Sequence, residues 1–382
     1  MALHQQQPPS TTSTSSSKHP RPSWIKVWSH AARPHTLTAS ISPVIVGHAL
    51  STSTLLPPLH SQTHLTYLTI TWSIFASLIQ LGTNLHNDYA DFIKGADDEH
   101  RIGQPRATQK GWLTPTQTAH ASAFCILSAL AIAYPLCITT TTTSSQSYYD
   151  AFFCTVVLSS AFNAVAYTGG YYPLGYIGLE HLSIGYSGLG DLFVLVYFGF
   201  VATVGLPYLV VRHMMGVEDE DVFGGTEGGE GGGGGKLLLW EACLASVPVG
   251  FLATAIIVVN NLRDRETDVK VGKRTMAVRF GERFARWEYG FLVLSSYVLL
   301  VVACLAYYTE EVYDTSRYWI LLPWLSFPMA VPQLRAVAGW GKDGAALNEH
   351  VGGTAKVQFL FCILFAIGIR KVYAFVENVA VS

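Results

Sequence analysis

Apolar residues fall in long unbroken stretches along this 382-residue chain, and nine of these stretches approach or reach the length of about 20 residues that a helix needs to cross a bilayer. They cover approximately 36–50, 67–85, 120–138, 151–168, 191–211, 238–262, 288–308, 318–338 and 355–375. No segment alternates with period two. A chain in lipid must close its backbone hydrogen bonds within each span or in a barrel, so the pattern predicts helices. The first span is short and carries Pro43 inside it. The expected fold class is therefore all-α, a polytopic membrane protein of about nine transmembrane helices.

Polar segments divide the chain further. Residues 1–22 are rich in Gln, Ser, Thr and Pro and hold no apolar signal-peptide core, which predicts a disordered tail. Residues 23–382 are then a single membrane domain. Within it, 216–236 is acidic first and then nearly all Gly, the composition of a flexible loop. The run Thr139–Thr143 is a second neutral insertion.

Composition supports lipid as the solvent, since 13% of residues are charged where a soluble domain carries roughly a quarter. A net charge of -2 leaves no basic excess for a nucleic-acid partner. Its distribution is more informative. If nine spans alternate, 19 of the 24 Lys and Arg lie on the face that holds the N-terminus and the loops after the even-numbered spans. Such a bias marks the retained face of a membrane. The six cysteines stand singly in or beside apolar stretches and read as small core residues.

Two carboxylate clusters change the picture from a scaffold to a site. The second span runs on into Asn84-Leu-His86-Asn87-Asp88-Tyr89-Ala-Asp91, followed by Asp97, and the sixth into Asn260-Asn261-Leu-Arg-Asp264-Arg-Glu-Thr-Asp268. Asn84, Asn87 or Asp88, and Asp91 recur at three or four residues, and Asn260, Asp264 and Asp268 at four, so each set stacks on one helical face. A lone Asp at a helix end simply marks the exit from the membrane. Two matched clusters on one face, each a stack of like charges, call for a cation, and Mg²⁺ prefers oxygen and bridges carboxylates to phosphates. The likeness across four helices suggests a duplicated unit whose two ends share a cavity.

At these residues the chain resembles the UbiA superfamily of intramembrane prenyltransferases, and within it the menaquinone branch, the 1,4-dihydroxy-2-naphthoate polyprenyltransferases. The resembling stretches are ARPHTLTASISPVIVG, GTNLHNDYADFIKGADDEHRIGQPRATQKGWLTP, YYPLGY, GLGDLFV and VVNNLRDRETDVKVGKRTMAVRFG, in family order from Ala32 to Gly281. The resemblance implies nine helices around a central cavity and Mg²⁺-dependent transfer of a polyprenyl group from a prenyl diphosphate to an aromatic acceptor, 1,4-dihydroxy-2-naphthoate, with decarboxylation. It implies Asp88, Asp91 and Asp97 as ligands of one Mg²⁺ and Asp264 and Asp268 of another. Asn84, Asn87, Asn260 and Asn261 would support them or touch the diphosphate, with Arg106, Lys273 and Arg274 as phosphate contacts. Tyr89, Tyr167, Tyr171 and Tyr172 are candidates to stabilise an allylic cation.

The chain departs from the family pattern in one loop, where G-Y-x-G-L occurs twice, at Gly175–Leu179 and Gly185–Leu189. Either Tyr176 or Tyr186 then holds the family position. His86 replaces a small residue in the first motif and reads as a hydrogen-bonded neighbour of the metal site. Rival functions are an ion-coupled transporter and a prenyltransferase for 4-hydroxybenzoate, homogentisate, a naphthoquinone or haem. Transporter ion sites sit near the bilayer midplane, whereas these clusters stand at helix ends beside basic loops.

Overall fold

The computed structural model describes residues 22–52, 60–97, 101–140, 147–170, 182–215, 232–306 and 315–381. The helices are α1 (Trp24–Ala32), α2 (Pro34–Ser51), α3 (His60–Ile93), α4 (Pro115–Ala133), α5 (Ala151–Ala166), α6 (Gly190–His213), α7 (Gly232–Lys270), α8 (Met276–Ala306), α9 (Ser316–Val337) and α10 (Asn348–Val381). A two-stranded antiparallel hairpin, β1 (Ile138–Thr140) and β2 (Ser147–Tyr149), joins α4 to α5.

Helices α2 to α10 occupy the nine predicted spans in order. Among the described residues seven are long and apolar enough to cross a membrane, while the apolar part of α2 (Thr36–Ser51) and α5 are shorter. Large apolar side chains such as Phe124, Leu127, Trp240 and Leu305 are exposed, and Asp88, Arg106, Arg212 and Gln358 are buried. That inversion of the soluble pattern is what lipid around a polar centre produces. Residues 1–21 of the expected tail and 216–231 of the expected loop lie outside the described residues. Gly232–Lys236 open α7.

Local chemistry sets several boundaries. Thr114 caps α4 in a reciprocal capping box with Gln117, and Pro115 stands at the first helical position, where its missing N–H is no loss. Gly281, at φ 81°, breaks α8 near its start with a conformation that only glycine adopts cheaply. The helix α1 was not predicted, because nine residues fall well short of a span. It is amphipathic, with Val27 and Ala31 packed on Leu85, Ala107 and Leu113 while Trp24 and Ile25 face outward.

Packing closes the helices around a centre. Helix α3 lies along α4, α7 along α8, and α10 returns to α2. Between α3 and α6 the indole of Trp72 presses on Gly205, where a Cβ would lie 2.4 Å from the ring, and donates to the Ala202 carbonyl at 3.2 Å. Asp150 caps α5 by accepting from the Phe153 N–H at 2.9 Å. It also accepts from Arg212 Nε at 2.8 Å and Tyr208 Oη at 2.9 Å, so one carboxylate pins the start of α5 to the end of α6. The other end of α5, about 24 Å away at 1.5 Å per residue, faces the carboxylate clusters.

Candidate active site

Helices α3 and α7 both end at one cavity of about 310 Å³, and their polar extensions line its charged end. Asn84, Asn87 and Asp91 enter its wall from α3, and Asn260, Asn261, Asp264 and Asp268 from α7. Arg106 and Lys273 complete this end. Toward the interior the same two helices present Ile79, Ala253, Ile256 and Ile257, joined by Val194 and Phe198 of α6. The cavity is thus charged at the helix ends and apolar one to three turns deeper.

On α3 the spacing left Asn87 and Asp88 as alternatives, and the helix turns Asn87 to the cavity. Its Oδ1 accepts from Thr168 Oγ1. Asp88 and Asp97 are fully buried just behind the wall, where they reach the site through shared cations. Arg106 Nη1 lies 2.8 Å from Asp91 Oδ2 and 2.8 Å from Asp97 Oδ2, and its Nε lies 3.4 Å from Asp88 Oδ1. Arg33 pairs with Asp88 and Arg101 with Asp97. Lys273 spans the two clusters, at 3.3 Å from Asp91 and 3.9 Å from Asp268.

The second cluster is built more locally. Arg263 Nε donates to Asp264 Oδ1 at 2.7 Å and Arg263 Nη2 to Asn260 Oδ1 at 2.7 Å, while Nη1 reaches Asn348 of α10 at 3.0 Å. Asn348 in turn donates to the Ile102 carbonyl at 2.9 Å, tying the loop after α3 to α7. Asn84 donates to Thr36 Oγ1 at 2.8 Å and to the Ala32 carbonyl at 3.2 Å, which fixes the start of α2 against α3.

Tyr186 is an aromatic group tied directly to the carboxylates. Its hydroxyl donates to Asp91 Oδ1 at 3.0 Å, and Lys94 and Lys273 stand 4.2 and 4.9 Å from its ring centre. Burial and then the Asp91 charge push this phenol well above its ordinary range.

Five carboxylates, Asp88, Asp91, Asp97, Asp264 and Asp268, therefore contact five cationic groups, Arg33, Arg101, Arg106, Arg263 and Lys273. Among the described residues no three Asp, Glu, His or Cys side chains converge as a ready metal cage. The donor set is nonetheless all oxygen, and Asp88 Oδ2 is buried without a hydrogen-bond partner, so the residues fit a hard divalent cation.

The sequence model of the UbiA prenyltransferase family matches residues 40–347, most of this chain and both clusters. The chain belongs to the UbiA prenyltransferase family. It is an integral membrane prenyltransferase. A 1,4-dihydroxy-2-naphthoate octaprenyltransferase of Escherichia coli (strain K12) is 31% identical to it over 349 residues, 90% of this chain and 95% of that protein. UbiA prenyltransferase domain-containing protein 1 of Gallus gallus is 26% identical over 350 residues, 89% and 83% of the two chains. Among solved structures, a UbiA homolog from Archaeoglobus fulgidus bound to DMAPP and Mg²⁺ superposes with a TM-score of 0.50 at 14% identity, covering 90% of this chain and 98% of that one, and so shares the fold.

In this UbiA chain the remaining expected residues divide. Tyr167 lines the cavity, whereas Tyr89 is half-buried outside it, edge-on to His86. Arg274 is exposed outside the cavity wall, and its backbone N–H donates to the Tyr186 carbonyl at 2.9 Å. Tyr171, Tyr172 and Tyr176 lie outside the described residues. Sequence reasoning did not single out Arg33, Arg101 or Arg263 as ion-pair partners of the aspartates. Arg263 stood directly beside Asp264, but nothing in the spacing tied Arg33 to a carboxylate 55 positions away.

Proposed function

We propose that this chain transfers a polyprenyl group from a prenyl diphosphate to 1,4-dihydroxy-2-naphthoate, with loss of the acceptor's carboxylate, in a Mg²⁺-dependent step of menaquinone- or phylloquinone-type quinone synthesis. The observation that carries the proposal is the convergence of both carboxylate clusters and Lys273 on one cavity that turns apolar toward the interior. Naming of the bacterial relatives as dihydroxynaphthoate octaprenyltransferases supports the acceptor. The DMAPP and Mg²⁺ of the Archaeoglobus fulgidus homolog support the donor and the metal.

Charge balance argues for the metal independently. The five carboxylates are already matched by five cations, and a diphosphate brings about two to three further negative charges. Asp88, Asp91 and Asp97 would hold one Mg²⁺ and Asp264 and Asp268 another, with Asn84, Asn87, Asn260 and Asn261 in support. When bound, Mg²⁺ supplies positive charge to the departing diphosphate.

Arg106 and Lys273 add fixed cations, and each can exchange a carboxylate partner for a phosphate oxygen without moving into bulk water. As the allylic C–O bond breaks, its electron pair leaves with the diphosphate. Tyr167 and Tyr186 line the cavity, and an aromatic ring turned to the developing cation would stabilise it. The acceptor ring then supplies the pair that forms the new C–C bond, and the electrons of the lost carboxylate restore its aromaticity. Ile79, Ile256, Ile257 and Phe198 exclude water, which would otherwise trap the cation.

Purified protein offered a panel of aromatic acceptors with geranyl diphosphate and longer donors tests this. Mass spectrometry is expected to find the decarboxylated prenyl-naphthalenediol, abolished by EDTA and restored by Mg²⁺. Product from 4-hydroxybenzoate or homogentisate in its place would overturn the acceptor, and metal-independent turnover would overturn the two-metal site.

A further inference from the structure

Asp191 is a buried carboxylate that the chemistry above does not use. It opens α6 and is 6% exposed. It is absent from the cavity wall, yet Asn261, which is in the wall, donates from Nδ2 to Asp191 Oδ1 at 3.1 Å. A carboxylate offers only acceptors, so the amide must turn its NH₂ toward Asp191. The carbonyl Oδ1 of Asn261 is then the end left for the cavity. Left to itself, an Asn side chain beside cations and phosphates has no such fixed sense, because either end would find a partner.

We propose that Asp191 is a positioning residue that locks the Asn261 amide with its oxygen toward the metal-binding end of the cavity, making Asn261 an oxygen donor to the cation held by Asp264 and Asp268. The inference rests on the two-metal site proposed above and adds its orienting partner. Three features meet here. Asp191 stands at a helix start, where the first free N–H groups favour a negative charge. The residues that follow it, Leu195–Val201, are wound as a π-helix, a local irregularity often found where a side chain must be aimed. Asn261 lies three residues before Asp264 on α7, so its side chain borders the same face as Asp264 and Asp268. Hard divalent cations take amide oxygens readily and amide nitrogens not at all.

The test reads metal binding without turnover. Mn²⁺ is titrated into purified full-length protein with inorganic diphosphate, and free Mn²⁺ is measured by electron paramagnetic resonance. Asp191→Asn keeps shape and burial but no longer dictates which end of the Asn261 amide it meets. Mn²⁺ affinity is expected to fall by about tenfold or more, the usual cost of losing an orienting partner behind a metal ligand. The exchanged pair, Asp191→Asn with Asn261→Asp, restores a donor facing an acceptor and leaves a carboxylate oxygen toward the cavity. It is expected to recover most of the lost affinity. Unchanged Mn²⁺ binding in Asp191→Asn would overturn the inference while leaving the two-metal site standing, and so would a weakened single variant that the exchange fails to rescue. Wild-type protein that binds no Mn²⁺ would overturn the two-metal site itself.

Discussion

At the end of α3, Asp88, Asp91 and Asp97 are almost fully buried, and the four cations that meet them come from three separate places, Arg33 before α2, Arg101 and Arg106 in the loop after α3, and Lys273 after α7. At the end of α7, Asp264 is met by Arg263, its neighbour in the chain, and Asp268 by Lys273 at 3.9 Å. Similar Asn-Asp extensions thus form unlike sites. One is a tertiary assembly in which Asp88 and Asp91 depend on distant segments and Asp97 on the loop that follows it. The other is chiefly a property of one helix, steadied from outside by Asn348 and Asp191. The charge balance of the first cluster therefore depends on the packing of the bundle, while that of the second rests mainly on Arg263 beside Asp264 and on Lys273.

Removing a cation from each cluster tests this most severely. Arg106→Ala leaves three buried carboxylates short of a partner and is expected to cost about 3–5 kcal/mol of stability. Arg263→Ala should cost clearly less, because Asp264 is partly open to water. Thermal unfolding in detergent checks the order, and equal losses would erase the contrast. For catalysis the two clusters should instead behave alike. Asp91→Ala and Asp264→Ala are each expected to lower prenyl transfer by about 100- to 1000-fold, the scale for losing a group that stabilises developing charge. Near wild-type turnover in either variant would remove that cluster from the chemistry.

Tyr186→Phe is a smaller probe of the first cluster. It keeps the ring beside Lys94 and Lys273 but deletes the hydrogen bond to Asp91, for an expected change of about 0.5–1.5 kcal/mol, a few-fold in rate. Smallest is Asp343→Asn at the rim of the second cluster, where Asp343 Oδ1 accepts from Arg265 at 2.5 Å. Hydrogen bonding from Arg265 lowers the Asp343 pKa from its ordinary 3.8. A depressed carboxyl stabilises the fold above its unfolded pKa and loses that contribution as pH falls through the lower folded value. The gap in stability between wild type and Asp343→Asn, read from thermal unfolding, should therefore be small at pH 7, below about 1 kcal/mol for a partly exposed pair, and vanish at strongly acid pH. A gap that grew on acidification would contradict the pairing.

Much of the site was legible in the chain because helical spacing alone places Asn84, Asn87 and Asp91, or Asn260, Asp264 and Asp268, on one face. Parity of the spans alone placed both sets at one membrane face. The choice between Asn87 and Asp88 was not legible, since both spacings suit a helix and only the rotation of α3 against its neighbours selects one. Nor was the place of Arg274, which charge and proximity made a candidate and the turn after α7 leaves outside the cavity.

By itself, then, the sequence determined the membrane helices, their order and the oxygen-rich character of the two helix ends, because hydropathy, helical period and span parity are properties of the chain. Only the tertiary structure decided which side chains face the cavity, which arginines neutralise which aspartates, and that Asp191 stands behind Asn261. Many of those contacts join residues far apart in the chain, 15 positions for Arg106 with Asp91, 70 for Asn261 with Asp191 and 182 for Lys273 with Asp91, and such partners are chosen by packing, which leaves no local trace in composition or spacing.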